Sequence, residues 1–184
     1  MMALDPVAAG CAGTGVALVL LTGAVHKLID GAGFARTLAD HQLLPDALVA
    51  PLARALPLAE IAAGTALLFG ASHGAGLALA ALLFALYTGA LVANLLRGHV
   101  DIDCGCGWGP TARQRGRLSW SLPLRNLVLL ALLGLAALPV TARPAVWIDS
   151  LTVGAGGLLL LALYLTTHQL LANQPLLAAL RRPS

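Results

Sequence analysis

Cys104 and Cys106 stand one glycine apart in the run His99-Val-Asp-Ile-Asp-Cys-Gly-Cys-Gly-Trp-Gly109, the longest polar interruption of an otherwise apolar chain. Two sulfurs at this spacing can close into a small strained disulfide, open to a dithiol, or hold a soft metal. Strained disulfides have more oxidising potentials and are more often labile or catalytic than structural. The two residues are therefore read as a redox pair. Metal binding and a purely structural disulfide are the alternatives. His99, Asp101 and Asp103 lie nearby, and copper(I) accepts two thiolates. Zinc sites, however, usually set Cys-x₂₋₄-Cys against further Cys or His, and this chain has no second cysteine pair, so no metal is assigned. The third cysteine, Cys11, sits among Ala and Gly and reads as a small buried hydrophobe, leaving one possible intrachain disulfide.

A second set of residues matters because of the medium around it. The 184 residues are 59% hydrophobic and 10% charged, against about 25% charged in soluble domains. That composition belongs in a bilayer and predicts a single integral membrane domain, 1–184. The formal charge of +3 does not signal nucleic acid: the arginines cluster in membrane loops, and three Phe, three Trp and two Tyr make no stacking platform. Asp5 and the lack of early Lys or Arg argue against a signal peptide.

The elements that must position these residues are spanning helices of about 20 apolar residues each. Five are expected, at 7–28, 48–69, 75–96, 120–138 and 146–171, with the cysteine loop at 97–118. Gly10, Gly13, Thr14 and Gly15 give the first span a surface for close helix packing. Between the first two spans, Ile29 to Leu44 is polar but carries Phe34, Leu38, Leu43 and Leu44 at helical spacing. This predicts a short helix on the membrane interface, ended by Pro45. Pro51 and Pro57 lie inside the second span, which membrane helices tolerate when neighbours satisfy the freed carbonyls. Trp147 and Tyr164 suit interface anchors, and His41, His73 and His168 read as ordinary interface histidines. The expected fold is an all-α polytopic bundle in which spans one to four form the core and the fifth packs beside them.

Antiparallel connectivity then gathers His26, Lys27, Arg54, Asn94, Arg97, Arg125 and Asn126 at one membrane face, together with the cysteine loop. Glu60 lies six residues beyond Arg54, roughly 9 Å deeper at 1.5 Å per residue. A charge inside a span costs about 2.5–3.5 kcal/mol on insertion scales, so Glu60 and Arg125 should point inward and find partners. Lys27, Glu60, Asn94, Arg125 and Asn126 thus form a predicted polar cluster, serving either as structural glue or as a pocket beside the thiols. Arg54 and Arg97 are expected to snorkel to head groups. Ten of the eleven Lys and Arg fall on the cysteine-loop face, only Arg143 lying opposite. By the positive-inside rule that face is cytoplasmic.

In this order, several short motifs resemble those of the MauE methylamine-utilisation proteins, within the broader DoxX-like membrane superfamily. His26-Lys27 closes the first span and is followed by Leu43-Leu44-Pro45. Leu56-Pro57-Leu58-Ala59-Glu60 leads to Gly64 and Leu67-Leu68-Phe69-Gly70. Asn94-Leu95-Leu96-Arg97-Gly98 precedes Asp103-Cys104-Gly105-Cys106-Gly107, and Leu118-Ser119-Trp120 precedes Arg125-Asn126. The resemblance covers about Gly13 to Pro139 and leaves the fifth span without a motif. It implies a DoxX-like four-helix core, and a role in maturing a disulfide-rich periplasmic subunit of methylamine dehydrogenase alongside a thioredoxin-like partner, MauD. It also implies a bacterial cytoplasmic membrane with the thiols on the side where disulfides persist, opposite to the charge count.

Three functions follow as expectations. The first is a thiol–disulfide relay, in enzyme terms a membrane thiol–disulfide oxidoreductase. In it Cys104 and Cys106 exchange with a thioredoxin-like partner in support of a disulfide-containing client, and a quinone in the pocket is one candidate for the other end of the electron path. Arg97, Arg113 and Arg125 would favour thiolate. The second is a non-enzymatic chaperone or scaffold for such a partner. The third is a small-molecule or metal transporter gated by Glu60.

Overall fold

Asp5 starts the first helix, α1 (Pro6–Ile29), by accepting a hydrogen bond from the Val7 N–H at 2.8 Å, with Pro6 in the first turn, where its missing donor costs nothing. The fold, taken from a computed structural model, is described for residues 4–100, 118–144 and 146–180, with side chains as far as residue 171. Asp30 closes α1, its N–H bonding to the His26 carbonyl, and its carboxylate then caps α2 (Gly31–Asp40) through the Gly33 N–H at 3.0 Å. This is the short interfacial helix expected between the first two spans. Gln42, at a φ of 51°, turns the chain, and Pro45 leads into α3 (Asp46–Leu68). A 3₁₀ turn at Gly70–Ser72 reverses the chain into α4 (His73–Leu96), and α5 (Ser121–Ala136) and α6 (Trp147–Leu180) complete the bundle. Cys104 and Cys106 lie outside the described residues.

Among the described residues all of the regular elements are helical, as expected. α1, α3, the Gly70–Leu96 stretch and the Trp147–Leu171 part of α6 are long and apolar enough to cross a membrane. α5, expected as a fourth full span, has 16 residues. At 1.5 Å per residue that is about 24 Å, short of the roughly 30 Å hydrocarbon layer. Its last turn ends at Ala136, three residues before Pro139.

The core is made by Val16, Ala17, Val19 and Leu20 of α1, Ala63 and Leu67 of α3, Ala80, Leu83 and Phe84 of α4, and Leu129 and Leu133 of α5. α6 lies alongside and contributes Leu161 and Tyr164 to the edge of this cluster. Helices in lipid gain little from apolar burial against one another, so close packing of small residues must hold them. The α1–α6 seam shows this directly. A Cβ on Gly15 would meet Leu160 Cδ1 at 2.7 Å, and one on Gly156 would meet the Cys11 sulfur at 2.5 Å. Gly10, Cys11, Thr14 and Gly15 of α1 therefore face α6, which supplies Gly156 and Gly157 in return, while Gly13 faces Ala136 and His73.

The face away from the cysteine loop is tied by backbone and charge. Leu4 N–H donates to the Pro139 carbonyl and Thr141 N–H to the Leu4 carbonyl, both at 2.9 Å. Arg143 bridges Asp5 at 3.2 Å and Asp149 at 2.9 Å. Its hydrogen bonds hold the exposed Asp5 carboxyl below the ordinary aspartate range and raise the guanidinium's own affinity for its proton.

Gly156→Leu should overpack the seam and destabilise the protein by about 1–3 kcal/mol, whereas Gly154→Leu, with open space at its Cβ, should be neutral. Thermal unfolding in detergent separates the two. Asp5 has a depressed folded pKa, so its contribution is present above the unfolded value near 3.9 and is lost as pH falls through the lower folded one. Arg143→Gln should reduce that acid-dependent loss, measured between about pH 5 and pH 2, to the part that the Val7 N–H bond to Asp5 still supplies.

Candidate functional site

Glu60 is 2% exposed on α3, six residues beyond Arg54, and it is paired. Lys27 Nζ of α1 donates to Glu60 Oε1 at 2.6 Å, and the Tyr87 hydroxyl of α4 donates to the same oxygen at 2.8 Å. The ammonium also lies 5.5 Å from the Phe34 ring centroid and 5.3 Å from that of Tyr87, within the range of cation–π attraction. One carboxylate thus joins three spanning helices, while α2 covers the pair with Phe34.

Two further polar pairs stand at the same end of the bundle. Asn94, fully buried near the end of α4, donates from Nδ2 to His41 Nδ1 at 2.7 Å and to the Ala90 carbonyl at 3.1 Å. Arg125 of α5 donates from Nη1 to His168 Nδ1 of α6 at 2.8 Å, and its guanidinium carbon lies 4.9 Å from the Tyr164 ring centroid. A guanidinium can only donate, so Nδ1 of His168 is the accepting nitrogen and its ring proton sits on Nε2.

Lys27, Glu60, Tyr87, Arg125, Asn126 and His168 line one cavity of about 120 Å³ with His26, His41, Phe34 and Tyr164. Apolar side chains including Val19, Leu20, Phe84, Leu91 and Leu165 complete its wall. Of the five residues predicted as a polar cluster, four line this cavity, and Asn94 stands behind His41. Arg54 and Arg97 are exposed, as expected for head-group contacts.

Two histidine readings are corrected. His41 and His168 are 9% and 7% exposed, hydrogen-bonded members of the polar cluster rather than interface residues. Tyr164 likewise stacks on Arg125 instead of anchoring at the membrane surface. The sequence offered one signal for the His168 pairing: an arginine in a span must find a hydrogen-bonding partner, and His168 is a polar residue on the neighbouring helix. His73 sits at the other end, with Nδ1 3.0 Å from the Leu67 carbonyl. No group of three or more possible metal ligands occurs among the described residues.

The two helices that flank the cysteine segment both reach this cavity region, α4 through Asn94 and α5 through Arg125 and Asn126. The segment's ends are joined, Leu118 N–H donating to the Val100 carbonyl at 2.7 Å. Lys27, Glu60, Asn94, Arg125 and Asn126, which stand in the motifs read from the sequence, thus gather at the end of the bundle where the thiol-bearing connection begins and ends. A family model described as "Methylamine utilisation protein MauE" matches residues 5–139. The chain belongs to the MauE family.

Two curated relatives bear the same description. A methylamine utilization protein MauE of Methylophilus methylotrophus is 36% identical over 165 residues, covering 89% of this chain and 86% of the relative. One of Paracoccus denitrificans is 36% identical over 144 residues, covering 78% and 74%. No solved structure matches the chain. Spanning-length helices and MauE membership together make this a multi-pass membrane protein.

Removing one member of a buried ion pair strands the other and typically costs about 3–5 kcal/mol. Lys27→Met or Glu60→Leu alone should therefore destabilise strongly, and the double variant should be more stable than either. Unfolding of all four proteins in one detergent checks this, with strict additivity as the result that would contradict an energetically coupled pair.

Proposed function

We propose that this MauE protein serves methylamine utilisation as a thiol–disulfide relay in the bacterial cytoplasmic membrane, supporting formation or maturation of an exported disulfide-containing protein. The observation that carries the reading is the pinning of Val100 to Leu118 beside the buried polar cluster, because it attaches both ends of the Cys104-Gly105-Cys106 segment to that end of the bundle. Cys104 and Cys106 are the redox pair. In one direction, a thiolate of the pair attacks a disulfide of a thioredoxin-like partner, one partner thiolate leaves, and the second cysteine resolves the mixed disulfide. The partner ends as a dithiol and the pair as a disulfide, with two electrons transferred. Running in reverse, the same steps oxidise the partner. Lys27, Glu60, Asn94, Arg125 and Asn126 support the reaction from below.

Cys11 stands apart from this chemistry, its sulfur 3.6 Å from the Thr152 carbonyl in the α1–α6 seam. A second reading, a non-enzymatic scaffold for the same partner, is favoured by the way the Lys27–Glu60–Tyr87 cluster joins three helices. In that case the cluster is glue and the thiols are dispensable. The positive-inside count and the family role place the thiols on opposite sides, and labelling with a membrane-impermeant thiol reagent in oriented vesicles distinguishes them.

The relay predicts that Cys104→Ala or Cys106→Ala traps a thioredoxin-like protein as a mixed disulfide in cells. Differential alkylation should show Cys104 and Cys106 changing state together while Cys11 stays reduced. Glu60→Gln should leave a folded protein with impaired thiol turnover. Equal alkylation of both thiols under all redox conditions, with client maturation intact in Cys104→Ser/Cys106→Ser, would replace the relay by the scaffold.

A further inference from the structure

The cavity has an arrangement that a merely structural polar cluster does not require. Donor-rich groups reach it from two separate sets of helices. Lys27, held by Glu60 and Tyr87, enters from α1, α3 and α4, and Arg125, held by His168, enters from α5 and α6. Ammonium and guanidinium groups donate hydrogen bonds and accept none. The rest of the wall is largely apolar, and Phe34, Tyr87 and Tyr164 also line it. An apolar cavity of about 150 Å³ takes up benzene, so the roughly 120 Å³ here suits one six-membered ring. The cavity is partly open, which leaves a route for a substituent longer than the ring.

We propose that this cavity binds a lipid-soluble cyclic dione, a quinone, with one carbonyl oxygen toward Lys27 and the Glu60–Tyr87 pair and the other toward Arg125 and His168. Two acceptor oxygens on one flat apolar ring answer two donor clusters carried by different helices in one largely apolar cavity. A simple fatty acid would place an acceptor at one cluster only. This inference rests on the relay reading for its chemical purpose. Oxidation of the Cys104 and Cys106 thiols to a disulfide releases two electrons and two protons, and reduction of the dione to its hydroquinone consumes both. The Lys27 ammonium, which gives one of its three N–H groups to Glu60, is placed to hand a proton toward one oxygen, and the Nε2–H of His168, whose Nδ1 accepts from Arg125, toward the other.

The test uses full-length protein in lipid nanodiscs with ubiquinone-1 as the probe. Wild type should bind it saturably, and Cys104→Ser/Cys106→Ser should bind it equally well, since the site needs no thiol. Ala90 lines the cavity, and Ala90→Phe should fill it and weaken binding by about tenfold or more. A photoreactive azidobenzoquinone should label peptides of α1, α4 or α5 that face the cavity, a readout that does not depend on how well the filled variant folds. Saturable binding without thiol turnover would remove the relay and leave the site. Thiol turnover with no ubiquinone-1 binding would do the reverse. Non-saturable uptake, binding unchanged in a folded Ala90→Phe variant, or labelling confined to lipid-facing peptides would overturn the proposal.

Discussion

A buried ammonium–carboxylate contact, Lys27 to Glu60, sets the terms for this bundle. An uncompensated charge inside a span costs about 2.5–3.5 kcal/mol on insertion scales, and the two residues are contributed by different helices. α1 and α3 must therefore pack at one rotation and one depth, since turning either helix would leave a charge facing lipid. Tyr87 extends the constraint to α4 by donating to the same carboxylate oxygen. Phe34 extends it to the interfacial helix, which is held over the ammonium by ring contact. Arg125 and His168 impose a parallel condition on α5 and α6.

Electrostatics fixes which faces meet at one end of the bundle, and the size of small side chains fixes how closely they meet farther along. The α1–α6 seam leaves no room for a Cβ at Gly15 or Gly156. α6 is mostly exposed along its span, so this seam and its contacts near Tyr164 carry much of its attachment. The two kinds of constraint act at different levels of the membrane. The polar pairs lie toward the cysteine-loop end, while the Asp5–Arg143–Asp149 bridges and the Leu4–Val140 pairing tie the opposite end.

This division explains how an apolar bundle keeps a polar cavity. Lys27, Glu60, Tyr87, Arg125 and His168 in the cavity wall each have a partner from another helix, so the charges are compensated inside the bundle. The same partners aim donors inward from several directions. MauE membership links the protein to methylamine utilisation through its relatives. The hydrogen bond from Leu118 N–H to the Val100 carbonyl joins the two described residues that flank the segment bearing Cys104 and Cys106.

Much of this was legible in the sequence. Apolar run lengths gave the helices, because backbone polar groups in lipid must be satisfied within each segment. Alternating helix direction put Lys27, Glu60, Asn94, Arg125 and Asn126 toward one face, because connectivity alone fixes which helix ends lie together. The Cys-Gly-Cys spacing and motif order pointed to the family. The pairing was not legible. Nothing in the spacing decides which member of the cluster meets Glu60, and only helix rotation, decided by side-chain packing, brought Lys27 to Glu60 and Arg125 to His168. His41 and His168 looked like interface residues because polarity near a helix end does not reveal which way a side chain faces. The size and shape of the cavity had no sequence signal, since it is a space between six helices and exists only once their mutual distances are set.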